Sequence, residues 1–416
     1  MNKTTVAKNI IVLYGFSIAK ILFPLITLPY LTRVLSVEKY GVVAYVKSIM
    51  TYMQLVIDFG FMLSGTKEIV QTKEDKRTMS AVVGDILLAR LALCAISFAA
   101  LYILSLAMPI LRGNMAYTLM TFAPVALTVL LFDYVFRGLE QMQVITVRFI
   151  IMKSFSTVLT FLLVKSDSDL MLIPILDTIG SVLAIVLVWL SLNKLGVQVT
   201  FTGISSALRK LRESAIYFAS NIATTIGGAL STLLIGAFMQ PADIAYWGAA
   251  LQLVSAVLAL YSPVIDGVYP NIVKTRDYSV IRKTALIFMP LIALGCLFVF
   301  AFSDLIVTIA FGEKYAASAG ILKGLIPVLF FAFPAQLLGW PSLGTIGKTK
   351  QVTISTVIYG TFTIVGLLLL IVLDTFTLKN VVILRSSSEI VLFFPRLLFC
   401  IKYRQEFSGS FRAECG

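Results

Sequence analysis

Histidine is absent from this 416-residue sequence, and charged side chains of every kind make up only 13% of it. The first absence removes imidazole as a metal ligand, a general base or a pH switch. The second leaves about half the charge of an ordinary soluble domain, which carries roughly 25%. Cysteine is scarce as well. Cys94, Cys296, Cys400 and Cys415 show no CxxC spacing, and Cys94 and Cys296 sit inside apolar runs, so neither a disulfide framework nor a metal knuckle is indicated. Acidic residues number 21 against 34 Lys and Arg. No basic segment outside the apolar runs is large enough to form a nucleic-acid-binding domain.

What is present is apolar. Hydrophobic residues make up 59% of the chain, and the mean hydropathy is +0.95. That much apolar surface cannot be hidden in a water-soluble core, because buried area is limited by how surface scales with mass. A soluble enzyme is excluded. A bilayer crossing needs about 20 residues, and apolar runs separated by short charged or Gly/Pro-containing breaks predict twelve. They fall at about 9–32, 40–63, 82–107, 116–136, 147–164, 170–192, 215–238, 244–266, 284–303, 320–343, 352–373 and 380–402. The start, MNKTTVAKN before an apolar stretch, has the charged opening of a signal peptide. The stretch runs on to Leu31 with no small-residue cleavage site, which predicts a retained first helix.

Loop charge orients the chain. With the N-terminus inside, 21 of the 34 Lys and Arg fall in cytoplasmic segments, seven in outer ones and six within helices. Cytoplasmic loops retain Lys and Arg, so both termini are expected inside. The longest break, 193–214, carries Lys194, Arg209, Lys210 and Arg212 and divides the chain into an N-terminal lobe, 1–200, and a C-terminal lobe, 201–416. Ile69-Val-Gln-Thr-Lys-Glu74 after the second helix is echoed by Ile272-Val-Lys-Thr-Arg-Asp277 after the eighth. Matching placement in two halves is what a duplicated transporter predicts. Two tempting motifs read as turns. Ser342-Leu-Gly-Thr-Ile-Gly347-Lys348-Thr349 lacks the first glycine of a phosphate-binding loop and follows a membrane helix instead of a strand. Asp167-Ser168-Asp169 sits in a short outer connection where turn chemistry accounts for it.

Ionisable residues inside a spanning helix cost about 2.5–3.5 kcal/mol each on insertion scales, so they normally face a partner or a wet cavity. Lys47, Thr51, Gln54 and Asp58 fall within about 60° on the second helix, and Arg385, Glu389 and Arg396 within about 40° on the twelfth. Ser214, Asn221, Thr225 and Thr232 form a third stripe beside Gly227-Gly228. Polar contacts between packed helices account for hydroxyls and amides as readily as transport does. Buried cations are less easily explained that way. Lys20 lies mid-helix before Pro24 and Pro29, which free backbone carbonyls and bend the first helix. An interior whose fixed charges are mainly Lys20, Lys47, Arg90, Lys153, Arg385 and Arg396 favours an anionic solute. Carboxylates near the rim or beside these cations (Asp58, Asp85, Asp133, Asp266 and Glu389) could exchange protons or bind sodium. The residues alone therefore point to a secondary transporter of something anionic.

Several stretches carry a resemblance. Pro29-Tyr-Leu-Thr-Arg33-Val-Leu-Ser-Val-Glu38-Lys-Tyr40-Gly41, Asp58-Phe-Gly60-Phe and Gly65-Thr-Lys67-Glu68-Ile resemble the N-terminal signature of Wzx-type O-antigen and capsule repeat-unit flippases. Phe136-Arg-Gly138-Leu-Glu140-Gln141 and Phe311-Gly-Glu-Lys-Tyr315 are similar to two shorter elements of that family. The resemblance implies an all-α polytopic membrane protein of the multidrug/oligosaccharidyl-lipid/polysaccharide exporter fold, with two six-helix lobes around a central cavity and alternating access. It implies undecaprenyl-diphosphate-linked glycan as cargo, moved from the cytoplasmic to the outer leaflet of the bacterial inner membrane by ion coupling, without a cofactor. Membrane lipid is the other implied contact, with a polysaccharide polymerase and a chain-length regulator as further candidates, no nucleic acid, and a monomeric state. Substrate contacts are then expected from Lys20, Arg33, Lys47, Arg90, Lys153, Asn221, Arg385 and Arg396, and ion coupling from Asp58, Asp85, Asp266 and Glu389. The rivals are a same-fold exporter of a teichoic-acid-type or peptidoglycan precursor, a cationic-drug antiporter, and a membrane polymerase. A drug antiporter wants an acidic cavity, and a polymerase wants a sizeable outer loop with catalytic residues.

Overall fold

The computed structural model describes residues 3–407, with side chains throughout except at 3–14, 17, 220, 223–229 and 270. Among the described residues there is no strand. Twelve long helical segments follow one another: α1 (Lys3–Val34), α2 (Val37–Thr72), α3 (Lys76–Ala107), α4 (Met115–Gly138), α5 (Met142–Leu163), α6 (Leu172–Leu195), α7 (Ile204–Phe238), α8 (Pro241–Thr275), α9 (Tyr278–Phe311), α10 (Ala317–Gly344), α11 (Thr349–Val372) and α12 (Leu378–Lys402). Nine of them, α2 to α6 and α8 to α11, are long and apolar enough to cross a membrane among the described residues. Arg385, Glu389 and Arg396 interrupt the apolar run of α12 and keep it outside that group. The chain divides into two compact units, Met1–Ile222 and Ala223–Gly416.

The outer faces explain the composition. On α9, Leu291, Leu294 and Leu297 are each more than 60% exposed, and Val372 at the end of α11 is 79% exposed. Water does not tolerate a continuous apolar face of that size, whereas lipid tails do. The inner faces pack as ordinary cores. In the second unit Tyr261, Ile272, Phe333, Leu337, Leu343 and Cys400 form one cluster. There the Tyr261 hydroxyl donates to the Leu329 carbonyl at 2.8 Å, so its polar end does not go unmet.

Helices α2, α4, α8 and α10 are broken, the second and fourth of each series of six. In α2 the ladder stops at Phe59 (φ 38°) and Gly60 (φ 81°). Glycine is required at position 60 twice over: its φ is positive, and a Cβ there would lie 2.6 Å from the Cβ of Tyr217 on α7. In α4 a 3₁₀ turn, Thr128–Leu131, ends at Phe132 in the left-handed region, and the Phe132 ring stands edge-on to Trp189 at 5.8 Å. In α8 the interruption is milder, a single turn at Leu260 that stays right-handed (φ −72°, ψ −16°), and in α10 it is a π turn over Gly339–Gly344. Ser342 and Gly344, the start of the apparent phosphate-binding motif, belong to that turn. Each α2-type helix then ends at a turn in which an aspartate caps the next helix. Asp75 accepts from the amide of Arg77 at 3.0 Å, and Asp277 accepts from the amide of Ser279 at 2.7 Å. The echo between Ile69–Glu74 and Ile272–Asp277 is thus a repeated connection.

One expectation is corrected. The break read as 193–214 is shorter, because α7 begins at Ile204. Its first turns carry too much charge for a membrane segment, so hydropathy hides a helix that docks on α2 and α3. Lys210 is ion-paired with Glu68, and the hydroxyls of Ser214 and Ser64 lie 2.7 Å apart. The strap before α7 crosses α3 at Gly84, where an added Cβ would collide with the carbonyl of Thr200. Beside it, Asp85 is only 3% exposed. Its carboxylate accepts from the Thr202 amide (3.0 Å), the Thr202 hydroxyl (2.8 and 2.7 Å) and the Ser206 hydroxyl (2.5 Å). Three donors without a cation satisfy this buried carboxylate. The Asp167-Ser168-Asp169 stretch is also a turn, and Asp167 accepts from the Ser36 amide at 2.8 Å ahead of α2.

Gly84→Val is expected to push the strap off α3 and to lower stability by about 1–3 kcal/mol, read as a reduced thermal midpoint in detergent; an unchanged midpoint would show that the strap carries no packing strain. The exposed caps give a pH signature. Their side-chain and backbone hydrogen bonds hold the Asp75 and Asp277 carboxyls below the ordinary carboxylate range. A depressed folded-state pKa means the cap stabilises above the unfolded value and is lost as pH falls through the folded one. Amide exchange at Arg77 and Ser279 should therefore speed up selectively in the acid range, and Asp75→Asn, which keeps the acceptor oxygen, should remove that pH dependence at Arg77.

Candidate functional site

The breaks in α2 and α4 sit against α3, and polar side chains gather there. Asp58 is the last residue before the α2 break, at a helix C-terminal end where a negative charge is unfavourable. Arg90 on α3 offsets it, its guanidinium 2.8 Å from the Asp58 carboxylate. Gln54 donates to Asp58 at 2.9 Å and to the Thr128 hydroxyl at 3.1 Å. Arg90 also reaches the carbonyl of Val129 at 3.4 Å, inside the unwound turn of α4. Irregular backbone at membrane depth persists only where protein or a wet cavity satisfies it. Next to this cluster Arg148 pairs with Asp133. Asp58, Arg90 and Asp133 line a small cavity of about 100 Å³.

Gln54, Thr128 and Leu131 separate that space from a larger, partly open one of about 460 Å³ lined by α1, α2, α4, α5 and α6. Its walls are mostly apolar and aromatic, with Phe23, Tyr117 and Phe149 among them. Three ammonium groups line it: Lys20 from α1, Lys47 from α2 and Lys153 from α5. A single carboxylate faces them, Asp177 on α6. Asp177 is 3.0 Å from the Lys153 ammonium and accepts from the Ser156 hydroxyl at 2.7 Å. Lys20 stands 4.4 Å from the centre of the Phe16 ring, which supplies a weak cation–π contact and no counter-charge. Among the described residues Lys47 has no ion-pair partner. The cavity thus keeps two positive charges in excess, set in mostly apolar walls. Such a space favours a dianion with an apolar or ring-bearing neighbour.

In the second unit the charges of α12 are already engaged. Arg385 pairs with Glu389 one turn on at 2.8 Å, and its guanidinium lies 6.0 Å from the centre of the Tyr359 ring. Arg396 donates to the Ser355 hydroxyl (3.1 Å), the Thr356 hydroxyl (3.1 Å) and the Ala335 carbonyl (2.6 Å). A Cβ at Gly339 would lie 2.9 Å from it. Arg396 therefore ties α12 to α11 and to the end of the regular part of α10.

A match to the family model described as polysaccharide biosynthesis protein covers residues 6–276. The chain belongs to that family. Two curated relatives carry the name "Putative O-antigen transporter". That of Shigella dysenteriae is 27% identical over 345 residues, 79% of this chain and 83% of its own. That of Escherichia coli (strain K12) is 22% identical over 358 residues, 84% of this chain and 86% of its own. Among solved structures the fold matches an inward-facing multidrug resistance MATE family transporter of the MOP superfamily, with TM-score 0.72, 12% identity and coverage of 95% and 96%. It also matches the lipid II flippase MurJ in an inward closed conformation, with TM-score 0.71, 17% identity and coverage of 96% and 89%. This family member is thus a multi-pass membrane protein of exporter fold, and the resemblance to Wzx-type flippases is borne out.

The structure sorts the residues singled out in the sequence into separate environments. Lys20, Lys47 and Lys153 share the larger cavity. Arg90 and Asp58 pair with each other beside it. Arg385 pairs with Glu389, Arg396 braces helices, and Asp85 anchors the strap. Asp266 is exposed on α8. Arg33, exposed at the end of α1, and the half-buried Asn221 of α7 lie outside the walls of these two cavities. Thr225, Gly227 and Gly228 fall outside the described side chains. Sequence reasoning passed over Asp177. The available signal was a carboxylate inside the sixth apolar run, two turns from its start and one helix after Lys153.

Removing one member of the Asp58–Arg90 pair leaves the other partly buried and uncompensated. A fully buried pair costs about 3–5 kcal/mol to break, and Asp58 reaches a cavity, so Arg90→Met is expected to cost about 2–3 kcal/mol. Asp58→Leu in the Arg90→Met background should recover most of the loss. Lys47→Ala should leave the thermal midpoint near that of the wild type. A large destabilisation by Lys47→Ala would make Lys47 a structural residue.

Proposed function

We propose that this chain is a flippase for undecaprenyl-diphosphate-linked oligosaccharide repeat units, supplying O-antigen, capsule or exopolysaccharide synthesis. The observation that carries the reading is the excess of two ammonium groups, Lys20 and Lys47, in an otherwise apolar cavity of a polysaccharide-biosynthesis family member. A lipid-linked glycan presents a dianionic diphosphate between an apolar chain and sugars, and a point-charge ammonium suits phosphate. The names of the two relatives support the same substrate class.

On this reading the six helices α1–α6 and the six helices α7–α12 act as two lobes that alternate access, and the protein works as a monomer in the bacterial inner membrane. The excess of Lys and Arg in the alternate loops supports both termini being cytoplasmic. Ion coupling supplies the driving force, with Asp58 the best-placed of the expected acids because its carboxylate borders the smaller cavity and stays 38% exposed. Translocated units pass to a polymerase and a chain-length regulator. Arg385 and Arg396 are already paired or bonded, which moves the weight of substrate contact to Lys20, Lys47 and Lys153.

The test is reconstitution in liposomes with a fluorescent undecaprenyl-diphosphate oligosaccharide, following its exposure to a membrane-impermeant quencher with and without a proton or sodium gradient. Protein-dependent exposure that a gradient accelerates is the expected result, with Lys47→Ala slowing it about tenfold or more at unchanged protein level. Movement of a peptidoglycan or teichoic-acid-type precursor but no repeat unit would reassign the cargo. No movement of any lipid-linked glycan by folded protein would overturn the reading.

A further inference from the structure

We propose that Asp177 is a built-in competitor for the anionic ligand, a counter-ion that holds Lys153 in reserve and gives it up when the diphosphate enters. The inference rests on the reading that the larger cavity receives the anionic part of the cargo. It goes further by assigning a specificity-setting role to a residue outside every sequence-expected set.

Three features carry it. Asp177 is the one carboxylate on the wall of a cavity that holds three ammonium groups. Its pair with Lys153 is not sealed in the protein: the two side chains keep 29% and 34% of their exposure, so an entering anion can reach both. The same carboxylate oxygen, Oδ1, also accepts from the Ser156 hydroxyl at 2.7 Å. When Lys153 swings away, Asp177 therefore keeps a donor and is not left bare.

The physical consequence is a graded site. Lys20 and Lys47 attract an anion at once. Lys153 contributes only to a ligand whose charge and reach repay the loss of the Asp177 pair. A diphosphate spans two phosphoryl groups and meets that condition, while a singly charged headgroup engages two lysines and gains nothing from the third. Discrimination then comes from a contact that weak ligands cannot afford to break, which is a repulsive element placed beside an attractive one. Release is helped in the same way, because Asp177 is on hand to take Lys153 back.

The experiment measures binding of inorganic pyrophosphate and of inorganic phosphate at fixed pH to the purified full-length protein in detergent, by calorimetry. Asp177→Asn keeps the size and the acceptor oxygen for Ser156 but loses the charge. It is expected to tighten pyrophosphate binding about tenfold. The gain for phosphate, with its single phosphoryl group, should be larger than for pyrophosphate, which narrows the preference between them. The gain should also vanish when Lys153 is absent, so that Lys153→Met/Asp177→Asn binds no tighter than Lys153→Met. A gain that persists without Lys153 means Asp177 acts only through the general field, and the proposal falls. Unchanged or weaker binding in Asp177→Asn, with Lys20→Ala and Lys47→Ala still weakening pyrophosphate, overturns it while leaving the cavity reading intact. If neither lysine variant alters pyrophosphate binding, the cavity reading itself has failed. Should Asp177→Asn not fold, the double variant, which restores charge balance, separates the cases. Folding of the double variant together with Lys153→Met binding as tightly as the wild type would show that Lys153 never joins the ligand, and would also overturn the proposal.

Discussion

A charge placed among apolar helices has to be matched, and the matching of charges in the first unit organises much else. Asp58 stands where α2 stops, with the end of a helix dipole adding to its negative charge. Arg90 neutralises it and at the same time satisfies a carbonyl freed by the unwound turn of α4. The two irregularities therefore support each other through one guanidinium. Arg148 and Asp133 form a second ion pair at the same small cavity. Those four charges are paired, whereas the neighbouring cavity holds three ammonium groups against one carboxylate.

The second unit uses similar means to a different end. Its second and fourth helices are interrupted at corresponding places, though by a right-handed turn and a π turn instead of left-handed residues, and an aspartate caps the turn after the second helix in both. A shared architecture is the economical explanation of these corresponding breaks and of the short sequence echo. The charges, however, are not repeated. Arg385 and Glu389 close on each other within α12, and Arg396 spends its donors on Ser355, Thr356 and the carbonyl of Ala335. The first unit thus carries a charged cavity and the second braced helices.

The order of the helices was legible because bilayer thickness imposes it, so each of the twelve apolar runs corresponds to one helical segment. The ends were less so. Residues 204–213 are helical yet too charged for hydropathy to register, because docking by Lys210 and Ser214 stabilises them in place of lipid. The helical stripe Lys47–Gln54–Asp58 lies along the two cavities, since 3.6-residue periodicity survives up to the break at Phe59. What periodicity cannot reveal is pairing across helices. Arg385 and Arg396 share a face of α12 but meet different partners, and the role of Asp85 depends on a strap over a hundred residues away in the chain. Asp177 stood alone in its run, and its connection to Lys153 exists only once α5 and α6 pack together.

The most direct measurement is a structure of the protein with an undecaprenyl-diphosphate-linked oligosaccharide bound, in lipid. The expected result places the diphosphate in the larger cavity of the first unit, within hydrogen-bond reach of the Lys20 and Lys47 ammonium groups, while Arg90 keeps Asp58 and Arg396 keeps its three acceptors. A diphosphate held instead by Arg385 or Arg396, with the lysine-lined cavity empty, would contradict it.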